Sequence, residues 1–272
     1  MGSGWTTSGS ELTDGGLLVV GFLAGLFIST VTSPVGVSGA VFLLPVQLSV
    51  LGVPHPAVTP TNLLFNVVAG PGALWPHRRT GALRDDLTRR LLLGALPGVV
   101  VGAALRVFVL PGPAVFRVLI GCLLVPLGVW LCFRSLVPAG PFAGLVPRPR
   151  TLPALALAVG VVGGVYGIGG GSLLGPLLAA RGLPLARVAP AALATTFATS
   201  LVGAGAYAVL ALLSPGDVAP EWWLGLACGA GGLVGGYLGA RLQPHVPETA
   251  LRLLLGGVAA TLGGLYVAQV LG

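Results

Sequence analysis

Two glycine-rich stretches hold the residues of this chain best suited to bind a ligand. One is SPVGVSGAVFLLP, Ser33 to Pro45, and the other is VYGIGGGSLLGP, Val165 to Pro176. Both lie inside uncharged apolar sequence, where glycine and proline break a smooth helix. A helix that restarts after such a break presents free backbone N–H groups and the positive end of its dipole. That end binds an anion without a buried cation. Hydroxyls stand beside each break: Ser33 and Ser38 in the first, Tyr166 and Ser172 in the second. The following segments add Thr59, Thr61, Asn62 and Asn66, then Thr195, Thr196, Thr199 and Ser200. Asn62 and Asn66 share a helical face, as do Thr196 and Ser200. Such stripes can line an anion path. They can equally hydrogen-bond helices together, and the glycines can equally let helices touch.

Other chemistries lack their parts. The acids Glu11, Asp14, Asp85, Asp86, Asp217, Glu221 and Glu248 all fall at segment ends. No carboxylate sits at mid-membrane to relay protons or hold a coupling cation. His55, His77 and His245 are also terminal, so Ser172 has no base beside it for hydrolysis. Paired Cys/His spacing for a metal is missing, and the glycines form neither a clean GxGxxG nor part of a soluble βαβ unit. The sequence therefore predicts no enzyme, no metal and no cofactor. Cys122 and Cys132 lie about 15 Å apart along one helix, too far for a disulfide, and Cys228 stands alone in its segment.

The elements that must position these groups are membrane helices. The chain has 272 residues, 55% hydrophobic and 8% charged, with a mean hydropathy of +0.98. Soluble domains carry roughly a quarter charged residues, so this surface faces lipid. The net charge of +7 comes entirely with arginine, since the chain has no lysine. Those arginines separate apolar segments as interfacial anchors do and form no basic, aromatic-flanked run for nucleic acid. Arg117 and Arg252 open the last helix of each half, as anchors or as a vestibule drawing anions in. The segment Met1 to Asp14 lacks the basic start of a secretory signal and reads as a polar tail.

The two halves repeat. With Gly36 set against Gly167, Gly39 meets Gly170 and Pro45 meets Pro176. A one-residue shift pairs Pro54 with Pro184 and Pro60 with Pro190. FRVLIGCLLVPLG (Phe116–Gly128) aligns with LRLLLGGVAATLG (Leu251–Gly263), matching Arg117 to Arg252. A membrane repeat of about 130 residues suggests two homologous transporter halves. Their orientation follows from arginine. Eight simple crossings with the N-terminus inside put Arg106, Arg117, Arg181, Arg187, Arg241 and Arg252 outside. If each glycine stretch is instead the turn of a hairpin with both ends on one side, the N-terminus is outside. Only Arg106 and Arg117 then remain outside, as the positive-inside rule prefers. This arrangement inverts the halves. The hairpins either stop at mid-membrane or cross twice, with arms such as Leu17–Ser33 and Gly36–Leu51 about 25 Å long.

The doubled motif resembles the TauE/SafE family of sulfite exporters and sulfonate permeases. The resemblance rests on the turn Gly167 to Ser172 with Pro176, on its degenerate copy from Pro34 through Gly39 to Pro45, and on the Thr/Asn/Ser helix after each. It covers about Leu17–Phe133 and Thr151–Leu271; Val37 and Ser38 depart from it where glycines stand in the pattern. It implies a secondary transporter of sulfite or of organosulfonates such as sulfoacetate in a bacterial inner membrane. The binding residues it implies are Gly36, Ser38, Gly39, Asn66, Gly169, Gly170, Gly171, Ser172 and Thr196. An anion channel is the rival reading, and an intramembrane enzyme a more distant one.

The expected fold is an all-α polytopic membrane protein of two inverted repeats. Each has a Gly-rich broken hairpin plus three further helices, about eight hydrophobic segments in all. The expected divisions are a tail over 1–14, repeats over 15–137 and 152–272, and a cytoplasmic linker over 138–151. The expected partners are a small anion and the lipid bilayer, with a homo-oligomer allowed.

Overall fold

The computed structural model describes residues 14–35, 37–77, 85–110, 112–136, 151–181, 183–213, 218–242, 245 and 247–271. Among them every regular element is helical. In chain order the helices are α1 (Asp14–Thr32), α2 (Ala40–Ser49), α3 (His55–Leu74), α4 (Asp86–Phe108) and α5 (Pro113–Leu136). Then come α6 (Leu152–Tyr166), α7 (Gly171–Ala180), α8 (Leu185–Leu213), α9 (Trp222–Leu242) and α10 (Glu248–Leu271). Six stretches are long and apolar enough to cross a membrane, in α1, α4, α5, α8, α9 and α10; α2 and α6 are shorter apolar helices. The chain is a multi-pass helical membrane protein.

Both glycine stretches break their helices. The first separates α1 from α2, and the second separates α6 from α7. The long arms have 19 and 15 residues, about 28 and 22 Å. The short arms α2 and α7 have 10 residues each, about 15 Å or half a hydrocarbon core. The sequence expectation of a full arm over Gly36–Leu51 is corrected. Val37 and Ser38 stay outside the helix, and Gly52 at φ 65° followed by Pro54 ends it.

Helices meet here backbone against backbone. A Cβ added at Gly94, Gly98 or Gly102 of α4 would lie 2.0, 2.4 or 2.1 Å from the carbonyl oxygens of Pro153, Leu157 and Val161 of α6. The order of contacts makes α4 and α6 parallel. The same seam recurs between α9 and α1: Gly231, Gly235 and Gly239 stand 1.9, 2.2 and 2.6 Å, measured the same way, from the carbonyls of Phe22, Leu26 and Thr30. Glycines four apart form one stripe, and without side chains they bring two backbones to Cα–H···O distance. The third seam joins α5 and α10 head to tail, Gly121 near Gly263 and Gly128 near Gly256.

Between these seams cross α3 and α8. Gly225, Gly229 and Gly236 of α9 follow Leu64, Val68 and Ala73 of α3 in parallel, whereas Leu63 meets Gly203 and Gly70 meets Phe197 of α8 in the opposite sense. At one end of the bundle, Arg187 of α8 donates to Asp85 through Nε at 2.5 Å and an NH2 group at 3.2 Å. Asp85 also caps α4, accepting from the Asp86 N–H at 2.8 Å.

Two outcomes follow. Gly98→Ala and Gly235→Ala place a methyl against a carbonyl and should each cost about 1–3 kcal/mol, read as a lower melting temperature in detergent. Gly257→Ala, with open space around it, should be neutral or stabilising by up to about 1 kcal/mol. The hydrogen bond from Arg187 holds the Asp85 carboxyl below its ordinary value. Its stabilisation is therefore full above the unfolded carboxylate range, about pH 4, and fades as pH falls through the lowered value. Asp85→Asn keeps the cap and loses the ion pair. The variant should be less stable at neutral pH by at most about 1 kcal/mol, because the pair is solvent-screened. The difference should vanish in acid.

Candidate functional site

The first break is held by the polar stripe of α3. The Ser38 hydroxyl donates to Asn66 Oδ1 at 2.9 Å and accepts from the Ala40 N–H at 3.3 Å. One turn earlier, Asn62 Nδ2 donates to the Ala40 carbonyl at 2.9 Å. The same stripe reaches the second break. Thr59 donates to the Val165 carbonyl at 3.3 Å, and Asn66 Nδ2 approaches the Gly167 carbonyl at 3.5 Å. Asn66 therefore stands between the two breaks, with its carbonyl on one and its amide on the other.

The second break closes on itself and on α8. Gly167, at φ 73°, ends α6 by donating to the Gly163 carbonyl, and Ile168 donates to the same oxygen at 3.2 Å. This left-handed cap suits glycine alone. The freed Gly170 N–H donates to Thr199 Oγ1 at 2.9 Å, and that hydroxyl in turn donates a hydrogen bond to the Thr195 carbonyl at 2.7 Å. Ser172 turns its hydroxyl back to the Ile168 carbonyl. Tyr166 points to α5, donating to the Leu119 carbonyl at 2.7 Å.

A cleft of ≈ 40 Å³ opens beside the first break, lined among others by Ser29, Ser33, Ser38, Gly39, Asn66 and Thr196. That volume admits about three waters. Its lining also includes Ala73 and Gly236, in the C-terminal parts of α3 and α9. Its wall carries hydroxyls and one amide but no charged side chain. Among the described residues, Thr196 Oγ1 on this wall is buried with no hydrogen-bond partner, as is Ser200 Oγ one helical turn further along α8. An orphaned hydroxyl in an apolar interior costs about 1–3 kcal/mol, and an oxyanion would relieve that cost.

Of the residues singled out from sequence, the structure brings Ser38, Gly39, Asn66 and Thr196 to one cleft. Gly36 lies outside the described residues. Gly169, Gly170, Gly171 and Ser172 are not among the residues that line the cleft; Gly169 and Gly171 pack against α8 behind its Thr196 wall. A Cβ on Gly171 would lie 1.8 Å from the Ala192 carbonyl and 2.5 Å from Thr196 Oγ1, and one on Gly169 would lie 2.9 Å from Ser200 Oγ. Ser29 was missed, although its place one helical turn before Ser33 could have revealed it. Among the described residues, no group of three or more His, Cys, Asp or Glu side chains could hold a metal.

The family model for the sulfite exporter TauE/SafE matches residues 20–266. No curated protein and no solved structure matches the chain. The match takes in α2 to α9 whole, most of α1 and α10, and both breaks. The chain thus belongs to the TauE/SafE sulfite exporter family, a family of membrane transporters.

Proposed function

We propose that this protein is a secondary transporter of a small sulfur oxyanion or organosulfonate, such as sulfite or sulfoacetate, working by alternating access around the cleft. The observation that carries this reading is the cleft itself. Residues from both halves, Ser38 and Asn66 with Thr196, converge on a charge-free wall backed by unpartnered hydroxyls. Hydroxyl and amide donors suit an oxyanion, each hydrogen bond to a charged group contributing about 1.5–3 kcal/mol. A site without carboxylate repels no anion and holds no proton relay.

The halves are taken as 15–137 and 152–272, inverted across the membrane, with a tail over 1–14 and a cytoplasmic linker over 138–151. Three features support this. The glycine-on-carbonyl seam is built twice, α4 on α6 and α9 on α1. Equivalent helices α3 and α8 run in opposite senses. The Asp85–Arg187 pair joins the start of α4 to the start of α8 at one face, whereas eight simple crossings would put those residues on opposite sides. By the positive-inside rule that face is cytoplasmic in a bacterial inner membrane, and the N-terminus is outside.

In this reading the cleft opens toward the arginine-rich face, where α3 and α9 end beyond the lining residues Ala73 and Gly236, while Thr59 on Val165 ties the halves together nearer the other face. Inversion gives the complementary state. When one half rocks, an equivalent cleft opens beside the second break, and Gly169, Gly170, Gly171 and Ser172 line it as Ser38 and Gly39 line the first. Gly36 belongs with that first turn.

Purified protein in liposomes should carry sulfite or sulfoacetate with saturation. Asn66→Ala and Thr196→Ala should each raise KM about tenfold, the effect of one lost hydrogen bond. Flux rising without saturation, with unitary currents across a planar bilayer, would favour the channel reading instead. No flux of any sulfur anion sinks both. Single cysteines at Arg181 and Arg187 in a cysteine-free background should label from the cytoplasm. Labelling from outside would restore eight simple crossings.

A further inference from the structure

The arginine-poor end of the bundle holds a buried arginine outside the cleft. Arg106, in the last turn of α4, is 3% exposed. Among the described residues no carboxylate pairs with it. Its guanidinium donates instead to main-chain carbonyls, to His55 at 3.0 Å and to Leu110. It lies 4.2 Å over the Phe116 ring, and its Nε is buried with no acceptor. The His55 ring meets Phe116 edge-on at 5.5 Å, and both of its nitrogens are buried without partners. Phe116 in turn lies 6.2 Å from Tyr166, the last residue of α6 before the second break.

An arginine here is costly. Burying a guanidinium without a carboxylate leaves most of its desolvation unrepaid, and two carbonyl dipoles and a ring face return only part. Packing alone would be served better by leucine. What the guanidinium does achieve is to tie four elements together: the start of α3, the end of α4, the loop into α5 and, through Phe116 and Tyr166, the turn of the second hairpin. These are the elements that must part if this end opens. Once they part, the guanidinium loses the His55 and Leu110 carbonyls and presents a planar fork of N–H donors to water. That fork matches two oxygens of a sulfonate or sulfite.

We infer that Arg106 is a two-position group. In this conformation it latches the arginine-poor mouth shut on backbone carbonyls, and in the open conformation it captures a small oxyanion there. The inference rests on the transport reading, and the cleft residues have no part in it.

The reporter is Ala57→Cys, a near-isosteric change at a buried position in the first turn of α3, in a background free of other cysteines. Full-length protein in liposomes is treated with a membrane-impermeant maleimide from the arginine-poor side. The anion is sulfoacetate, which does not consume maleimide, and chloride at matched ionic strength is the control. Without sulfoacetate, Arg106→Gln should speed labelling at least threefold. By holding the open conformation, sulfoacetate should speed labelling at least threefold with Arg106 in place and leave Arg106→Gln unaffected. Arg106→Lys keeps the charge and should retain part of the acceleration, so a fold lost in the glutamine variant does not end the test.

Equal labelling in the wild-type and glutamine backgrounds overturns the latch. Sulfoacetate acceleration that persists in Arg106→Gln, or is missing with Arg106 in place, overturns the capture role. Saturable wild-type flux with Arg106-independent labelling sinks this inference alone. Arg106-dependent acceleration without any flux sinks the transport reading alone.

Discussion

The contact on which the rest of this structure depends is a helix backbone resting on another helix backbone. In lipid there is no hydrophobic gain from pressing two apolar helices together, so close packing must supply the attraction. Gly94, Gly98 and Gly102 of α4 against α6, and Gly231, Gly235 and Gly239 of α9 against α1, supply it. Each seam joins a helix of one half of the chain to a helix of the other. The long arms of the two broken hairpins, α1 and α6, are thereby fixed to the opposite half. The short arms α2 and α7 pack chiefly on α3 and α8.

That division of labour decides where polar groups can stand. Breaking a helix in a bilayer frees N–H and C=O groups that lipid cannot satisfy. The stripes of α3 and α8 take them up: Asn62 holds the Ala40 carbonyl, Thr59 the Val165 carbonyl and Thr199 the Gly170 N–H. The bland role of those stripes, joining helices, and the binding role are thus not exclusive. Most of the polar atoms secure the backbone, and a few are left over. Among the described residues the leftover atoms include Asn62 Oδ1, Ser200 Oγ and, on the cleft wall itself, Thr196 Oγ1.

The two breaks are alike in sequence and unlike in state. The first borders open space; the second is sealed by Gly171 against the α8 backbone and by Gly167 against the Thr59 carbonyl. Repeat-related breaks in two arrangements are what the proposed two-state transport requires, since packed interfaces switch between discrete arrangements more readily than they deform.

Much of this was legible in the residues alone. Uncharged apolar runs require helices, glycine and proline clusters require breaks, and the repeat pairs Asn66 with Thr196 before any coordinate is seen. Those are local consequences of dihedral sterics and of the cost of charge in lipid, so each can be read along the chain. Three matters only the tertiary structure decided. The short arm α2 ends at Ser49 because Gly52 adopts a positive φ there, a conformation glycine permits without dictating. The glycines of Gly167 to Gly171 pack behind the cleft wall in this state, because which face of a turn is open depends on the helix set against it. Arg106, read from sequence as an interfacial anchor, is buried on backbone carbonyls. Depth in a bundle is set by neighbours distant in the chain, and no spacing along the sequence records it.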